Sequence, residues 1–140
     1  MNITLLSIGK TSLAGCTETE QVYIKRLQGL FRVQTQYVKT EKDFLEIVQK
    51  HQGVVVLLDE GGLQMNSHEF AAYMESMLLR TQHVLLVIGD AAGLPAELRA
   101  AGHAVIGLSP LTFPHDIARV VLLEQLYRAQ TIIQNHPYHK

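Results

Sequence analysis

Three apolar runs decide most of what this chain can fold into. Val54-Val55-Val56-Leu57-Leu58 is almost pure Val and Leu, Val84-Leu85-Leu86-Val87-Ile88 follows His83 without a polar interruption, and Ile3–Ile8 is nearly as apolar. An extended chain points successive side chains to opposite faces of its sheet. An unbroken apolar run is therefore stable only where both faces are covered, which is the condition of a central strand in a parallel sheet. Longer amphipathic stretches separate the runs, and that alternation predicts an α/β domain, a mostly parallel sheet flanked by helices.

Placed along the chain, the pattern predicts strands at Ile3–Ile8, Arg32–Val38, Val54–Leu58, His83–Ile88 and Ala104–Leu108. Helices are expected at Thr17–Leu30, behind Thr40 and behind Asn66. Thr40-Glu41-Lys42-Asp43 resembles a capping box, and Asn66-Ser67-His68-Glu69 is a second cap. Pro95 at a first helical position and Gly102 after a last turn bracket a short helix, and His115–Asn135 is a long final one. The 140 residues hold no internal repeat or linker, so residues 1–140 form a single domain.

The final helix carries apolar residues on more than one face. Leu122, Leu126, Ala129 and Ile133 form one stripe, and Ile117, Val120 and Val121 extend a second. A surface helix needs a stripe only about 100° wide, so this one is covered on two sides, either by the sheet and a second subunit or wholly within one protomer. A charged fraction of 18% against 47% hydrophobic residues favours a partner subunit.

A formal charge of −1 excludes a strongly basic nucleic-acid binder. Cys16 is the only cysteine, so no internal disulfide forms. No apolar stretch approaches the ~18 residues that would span a bilayer, and no basic region precedes the first apolar run. A cytoplasmic protein without a membrane partner is expected. Seven histidines include His136 and His139 in the tail and His115 at a helix start, but no metal-binding spacing appears and no metal is expected. His51, His68, His83 and His103 fall at element ends and are expected to be solvated.

In open parallel sheets, ligands bind beyond the carboxyl ends of the strands. Three loops there are chemically unusual: Leu58-Asp59-Glu60-Gly61-Gly62, Gly89-Asp90-Ala91-Ala92-Gly93 and Leu108-Ser109-Pro110-Leu111-Thr112-Phe113. None is a Walker loop or a Gly-x-Gly-x-x-Gly turn, so phosphate cradling is not supported. Asp59-Glu60 reads as a turn more readily than as a paired acid and base.

Leu57–Gly62, Asn66–Ala71, Val87–Gly89, Leu108–His115, Arg119-Val120, Glu124–Ala129 and the closing Asn135-His136-Pro137-Tyr138-His139-Lys140 together form a specific set. The chain resembles the ribosomal RNA large subunit methyltransferase H family, SPOUT-class enzymes that use S-adenosyl-L-methionine. The resemblance is dense from Val54 onward and looser before it. It implies a homodimer with a C-terminal trefoil knot, and methylation of N3 of a pseudouridine in the large-subunit (23S) rRNA of the assembled ribosome. It also implies cofactor contacts at Leu58, Gly89, Leu108, Ser109, Pro110, Leu111, Thr112 and Phe113. The sequence departs from the family pattern in two places. Asp90 stands where a second glycine is usual, either crowding the cofactor loop or placing a carboxylate toward the sulfonium charge, and the segment between Val38 and Val54 is shorter than usual.

Chemistry then suggests roles for the tail. An apolar collar of Leu58, Leu108, Leu111 and Phe113 suits a reaction in which a cationic donor and a developing anion neutralise each other. His139 is the candidate base, Arg128 the group that stabilises an anionic base or clamps phosphate, and Tyr138 a stacking partner for the nucleotide. Lys25, Arg26 and Arg32, with Arg119, Arg128 and Lys140, are the candidate cationic contacts to RNA. Two other readings stay open: a degenerate member that binds cofactor or ribosome without methylating, and an unrelated α/β nucleotide-binding protein.

Overall fold

A computed structural model describes residues 1–9, 13–89, 93–101 and 103–139. Asp90, Gly102 and Lys140, each given a role above, lie outside the described residues. In chain order the elements are β1 (Asn2–Ile8), α1 (Cys16–Arg26), β2 (Arg32–Val38), α2 (Glu41–Lys50), β3 (Val54–Gln64), α3 (Ser67–Leu78), β4 (His83–Ile88), α4 (Ala96–Ala100), β5 (Ala104–Gly107) and α5 (His115–Ile133).

The strands pair in parallel in the order β2-β1-β4-β3-β5, which puts the three apolar runs at the centre. Alternate residues of those runs supply two separate cores. Ile3, Leu5, Val56, Leu58, Val84 and Leu86 pack under α1, α3 and α5. Leu6, Val55, Leu57, Leu85 and Val87 pack with Phe44, Val48, Leu94 and Leu98 from the α2 and α4 side. Each such side chain is worth roughly 1.5–3 kcal/mol when fully buried, so the continuous runs are what hold both layers to the sheet.

Local chemistry fixes the element ends, and the structure revises four of them. The α3 cap is a complete box: Asn66 Oδ1 accepts from Glu69 N at 2.8 Å and Glu69 Oε1 accepts from Asn66 N at 3.1 Å. At α2 only the first half forms, Asp43 N donating to Thr40 Oγ1 at 3.1 Å, because the shorter Asp stands where a Glu would reach back. Pro95 is the cap of α4 rather than its first residue. Helix α1 stops at Arg26, four residues early. There the amide of Gln130, buried in α5, accepts from Phe31 N at 3.1 Å and donates to Arg26 O at 3.3 Å, satisfying a turn that the chain would otherwise continue as helix.

The fourth revision concerns β3, which runs six residues past Leu58. It pairs with β5 twice, at Val56–Leu58 and again at Leu63–Gln64, and the segment between bulges out of register. Gly62 permits this, since a Cβ there would lie 2.6 Å from the Ile106 carbonyl carbon. The expected loop after the third strand is thus a bulge within it.

Candidate functional site

The carboxyl ends of β3, β4 and β5 open into one cleft of about 950 Å³. Leu58 and the bulge residues Asp59 and Glu60 form one wall, Ile88, Gly89, Gly93 and Leu94 a second, and Leu108, Ser109, Leu111, Thr112 and Phe113 a third. The start of α5, Pro114 to Asp116 with Ala118, closes the base, and Leu13 and Arg99 complete the lining. Seven of the eight sequence-predicted cofactor positions therefore share one cavity; Pro110 is exposed and is not among its lining residues.

Backbone, not side chain, forms the Gly89 wall. A Cβ on Gly89 would lie 2.6 Å from Gly93 O and 3.0 Å from Leu94 N, so only glycine lets the two strands of this loop close on each other. The paired carboxylates are both engaged. Asp59 accepts from Arg99 and, through Oδ2, from Gly61 N at 2.9 Å, as in a turn. Glu60 accepts from the Thr112 hydroxyl, tying the β3 bulge to the loop after β5.

Behind the cleft lies a charged cluster that sequence reading missed. Arg119 is fully buried; its Nε meets Glu20 at 3.0 Å, Nη2 meets Asp116 at 2.6 Å and Nη1 donates to Ser7 Oγ at 3.1 Å. Asp116 Oδ2 also accepts from Leu13 N at 3.0 Å, and His115 Nε2 lies 3.1 Å from its other oxygen. The expectation that Arg119 contacts RNA is therefore wrong: its guanidinium joins β1, α1 and α5 in the interior. An Arg next to an apolar Val gave no sequence signal for this, because its partners lie as far away as Ser7. Lys25, Arg26 and Arg32 are exposed, as the RNA reading requires.

The tail forms a second polar centre. Asn135 adopts φ 56°, and His136 N donates to Thr131 O at 2.8 Å, which turns the chain back along α5. Tyr138 OH then donates to Glu124 Oε1 at 3.2 Å, an oxygen that also accepts from Arg128 Nε at 3.0 Å and Nη2 at 2.5 Å. Arg128 Nη1 lies 3.0 Å from His139 Nδ1 and its guanidinium stacks 5.0 Å from the Tyr138 ring centre. Burial first, then Tyr23 and Glu124, pushes the Tyr138 phenol up to about 12. The hydrogen bonds it donates to Glu124 hold Arg128 above even its usual range. An arginine only donates, so His139 Nδ1 is the acceptor and a neutral ring carries its proton on Nε2.

His68 is not simply solvated: its ring meets His139 edge to face at 4.7 Å. His51 is half-buried, with Nε2 enclosed and without a hydrogen-bond partner among the described residues, and burial lowers its pKa. Among the described residues no group of three His, Cys, Asp or Glu side chains could hold a metal ion, and no helix is long and apolar enough to cross a membrane.

The family model described as predicted SPOUT methyltransferase matches residues 1–139. A ribosomal RNA large subunit methyltransferase H of Synechococcus sp. (strain CC9311) is 40% identical over 138 residues, 97% of this chain and 94% of its own. Among solved structures, a probable methylase family protein from Haemophilus influenzae Rd KW20 superposes with a TM-score of 0.61 at 15% identity, covering 99% of this chain and 70% of that one. The SpoU methyltransferase AviRb from Streptomyces viridochromogenes, solved with AdoMet, gives 0.52 at 15% identity over 93% of this chain and 57% of that one. At such identities the structures speak to the fold alone.

Proposed function

The chain belongs to the SPOUT methyltransferases and, within them, to the ribosomal RNA large subunit methyltransferase H family, and from that premise we propose that it transfers a methyl group from S-adenosyl-L-methionine to N3 of a pseudouridine in 23S rRNA of the assembled ribosome, in the cytoplasm. Family membership removes the reading as an unrelated nucleotide-binding protein. The observation that carries the proposal is the convergence of the three strand-end loops on one cleft.

The cleft's residues fit this cofactor. Leu58, Leu108, Leu111 and Phe113 offer apolar surface, the Gly89 wall offers backbone at close range, and Glu60 places a carboxylate on the lining, which suits a cation. S-adenosyl-L-methionine supplies an electrophilic methyl group when bound. The β3 bulge and the loops after β4 and β5 would hold the cofactor, and aligning its methyl group with the acceptor would supply roughly 7–11 kcal/mol of the barrier.

The acceptor imide must lose its N3 proton, so negative charge develops on the base. Arg128 and the Nε2–H of His139 supply positive charge and a donor for that oxyanion. While Arg128 occupies Nδ1, His139 acts as a hydrogen-bond donor through Nε2–H and the N3 proton passes to solvent; when that contact opens, Nδ1 takes the N3 proton and His139 serves as the base. Tyr138, neutral at physiological pH, offers a ring for stacking and a hydroxyl.

The cleft and the tail do not meet within one protomer. No tail residue lines the cleft among the described residues, and Arg128 stands ten residues beyond Ala118 on α5, about 15 Å along the axis. A homodimer brings them together. On the outward face of α5 the tail covers Glu124 and Arg128, while Ile117, Val120 and Val121 stay half-exposed and apolar, the surface a second copy would bury. The C-terminal knot is part of the same proposal.

The test is methylation of ribosomes from cells lacking the enzyme, with mass spectrometry of the rRNA. One methyl gained on a pseudouridine is expected. Cofactor binding by calorimetry without any methylation would instead identify a degenerate member.

A further inference from the structure

Two consecutive residues at the start of α3 close a ring of contacts around the tail. Ser67 Oγ donates to Gln125 Oε1 at 2.8 Å, and Gln125 Nε2 donates to Glu124 Oε2 at 2.9 Å. The other Glu124 oxygen accepts from Arg128 and Tyr138, Arg128 donates to His139 Nδ1, and the His139 ring returns to His68. The circuit leaves α3, crosses three residues of α5, passes through the tail and ends one residue from where it began.

We propose that His68 is a positioning residue for this enzyme: it orients the His139 ring from outside the site. The inference rests on the methyltransferase reading, which gives His139 its task. One hydrogen bond to Nδ1 fixes a point but leaves the imidazole free to swing about the N···N axis. A second contact on the ring itself removes that freedom. The two rings stand 88° apart with centroids 4.7 Å apart, the arrangement in which the positive edge of one ring meets the negative face of the other. Together the two contacts fix where Nε2 points.

The support for His68 is itself rigid. It is the second residue of α3, inside the box made by Asn66 and Glu69, and Ser67 beside it is tied to α5. A ring on a capped helix terminus moves little. Tyr138 is held by its edge-to-face contact with Tyr127 at 4.7 Å as well as by Glu124, whereas the His139 ring, one residue on, meets Arg128 and His68.

The experiment compares wild type with His68→Ala and His68→Phe in two assays: ribosome methylation kinetics, and the chemical shift of the His139 Cε1 proton. His68→Ala should lower kcat by roughly threefold to tenfold, the worth of one edge-to-face pair. KM for ribosomes and the Kd for S-adenosylmethionine should not move, and the ring-current shift on His139 should vanish. His68→Phe keeps a ring edge or face in place and should restore both the rate and the shift. An unchanged kcat in His68→Ala overturns the proposal, as does a His68→Phe variant no better than His68→Ala. Failure of the wild-type protein to methylate any rRNA overturns the methyltransferase reading instead. The two failures are thereby separate.

Discussion

Arg119 carries a full charge with no exposed surface, and it is tolerated there because two carboxylates and a hydroxyl surround it. Removing the guanidinium withdraws that charge from Glu20 and Asp116, and breaking a buried pair from one side costs roughly 3–5 kcal/mol. Arg119→Leu should therefore lower the urea midpoint by most of the protein's stability margin. The salt dependence of ribosome binding should be the same as wild type in whatever folds, because no phosphate reaches Arg119. A flatter salt dependence would return it to the RNA surface. Gly89→Ala tests the cleft: the added Cβ meets Gly93 O at 2.6 Å, so calorimetry should show cofactor affinity reduced at least tenfold. His139→Ala should leave that affinity alone and lower kcat by about 10²–10³, the range for loss of one donor to a developing oxyanion. The cleft positions were readable because glycines at strand ends mark close backbone approach, a local property. Arg119 was not, because whether an arginine is buried depends on what the fold brings to it from residues a hundred positions away.

At the scale of elements, the strands were legible and the helix ends less so. β4 falls where its unbroken apolar run places it, and β2, at the sheet edge, falls where the alternation of Val33, Thr35 and Tyr37 places it. Helix α1 ends early because Gln130, on a helix a hundred residues later, satisfies its turn, and β3 runs long because Gly62 and Gly107 let β5 approach twice. Both are tertiary decisions that local propensity does not encode. The end of α2 leads to a pH prediction. His51 caps that helix with its Nε2 enclosed, and burial holds its folded pKa below the unfolded 6.5. The neutral ring is the one that fits, so its contribution to stability is complete above pH 6.5 and is lost as pH falls through the folded pKa. His51→Leu should flatten the acid limb of the Tm profile below pH 6.5. A wild-type slope in the variant would show that another group titrates there.

For the whole molecule, the separation of cleft and tail has a consequence that a monomeric enzyme would not share. If the tail of one protomer serves the cleft of its partner, each dimer holds two composite sites, and every site needs one good cleft and one good tail. At a cofactor concentration that fills the wild-type cleft but not the Gly89→Ala cleft, Gly89→Ala disables clefts and His139→Ala disables tails, so each homodimer is nearly inactive for a different reason. In a heterodimer of the two, one site pairs the damaged cleft with the damaged tail, and the other pairs an intact cleft with an intact tail. Mixing equal amounts under exchange should give half heterodimers, each with half its sites intact, so roughly a quarter of wild-type activity returns from two inactive proteins. Sites built within one chain would give no recovery at any ratio. Val121→Arg, which puts charge on the half-exposed apolar stretch of α5, should abolish the recovery and yield monomers by sedimentation, because the proposed contact would then bury an unpaired charge. Recovery that survives Val121→Arg would place the dimer contact on another face of the molecule.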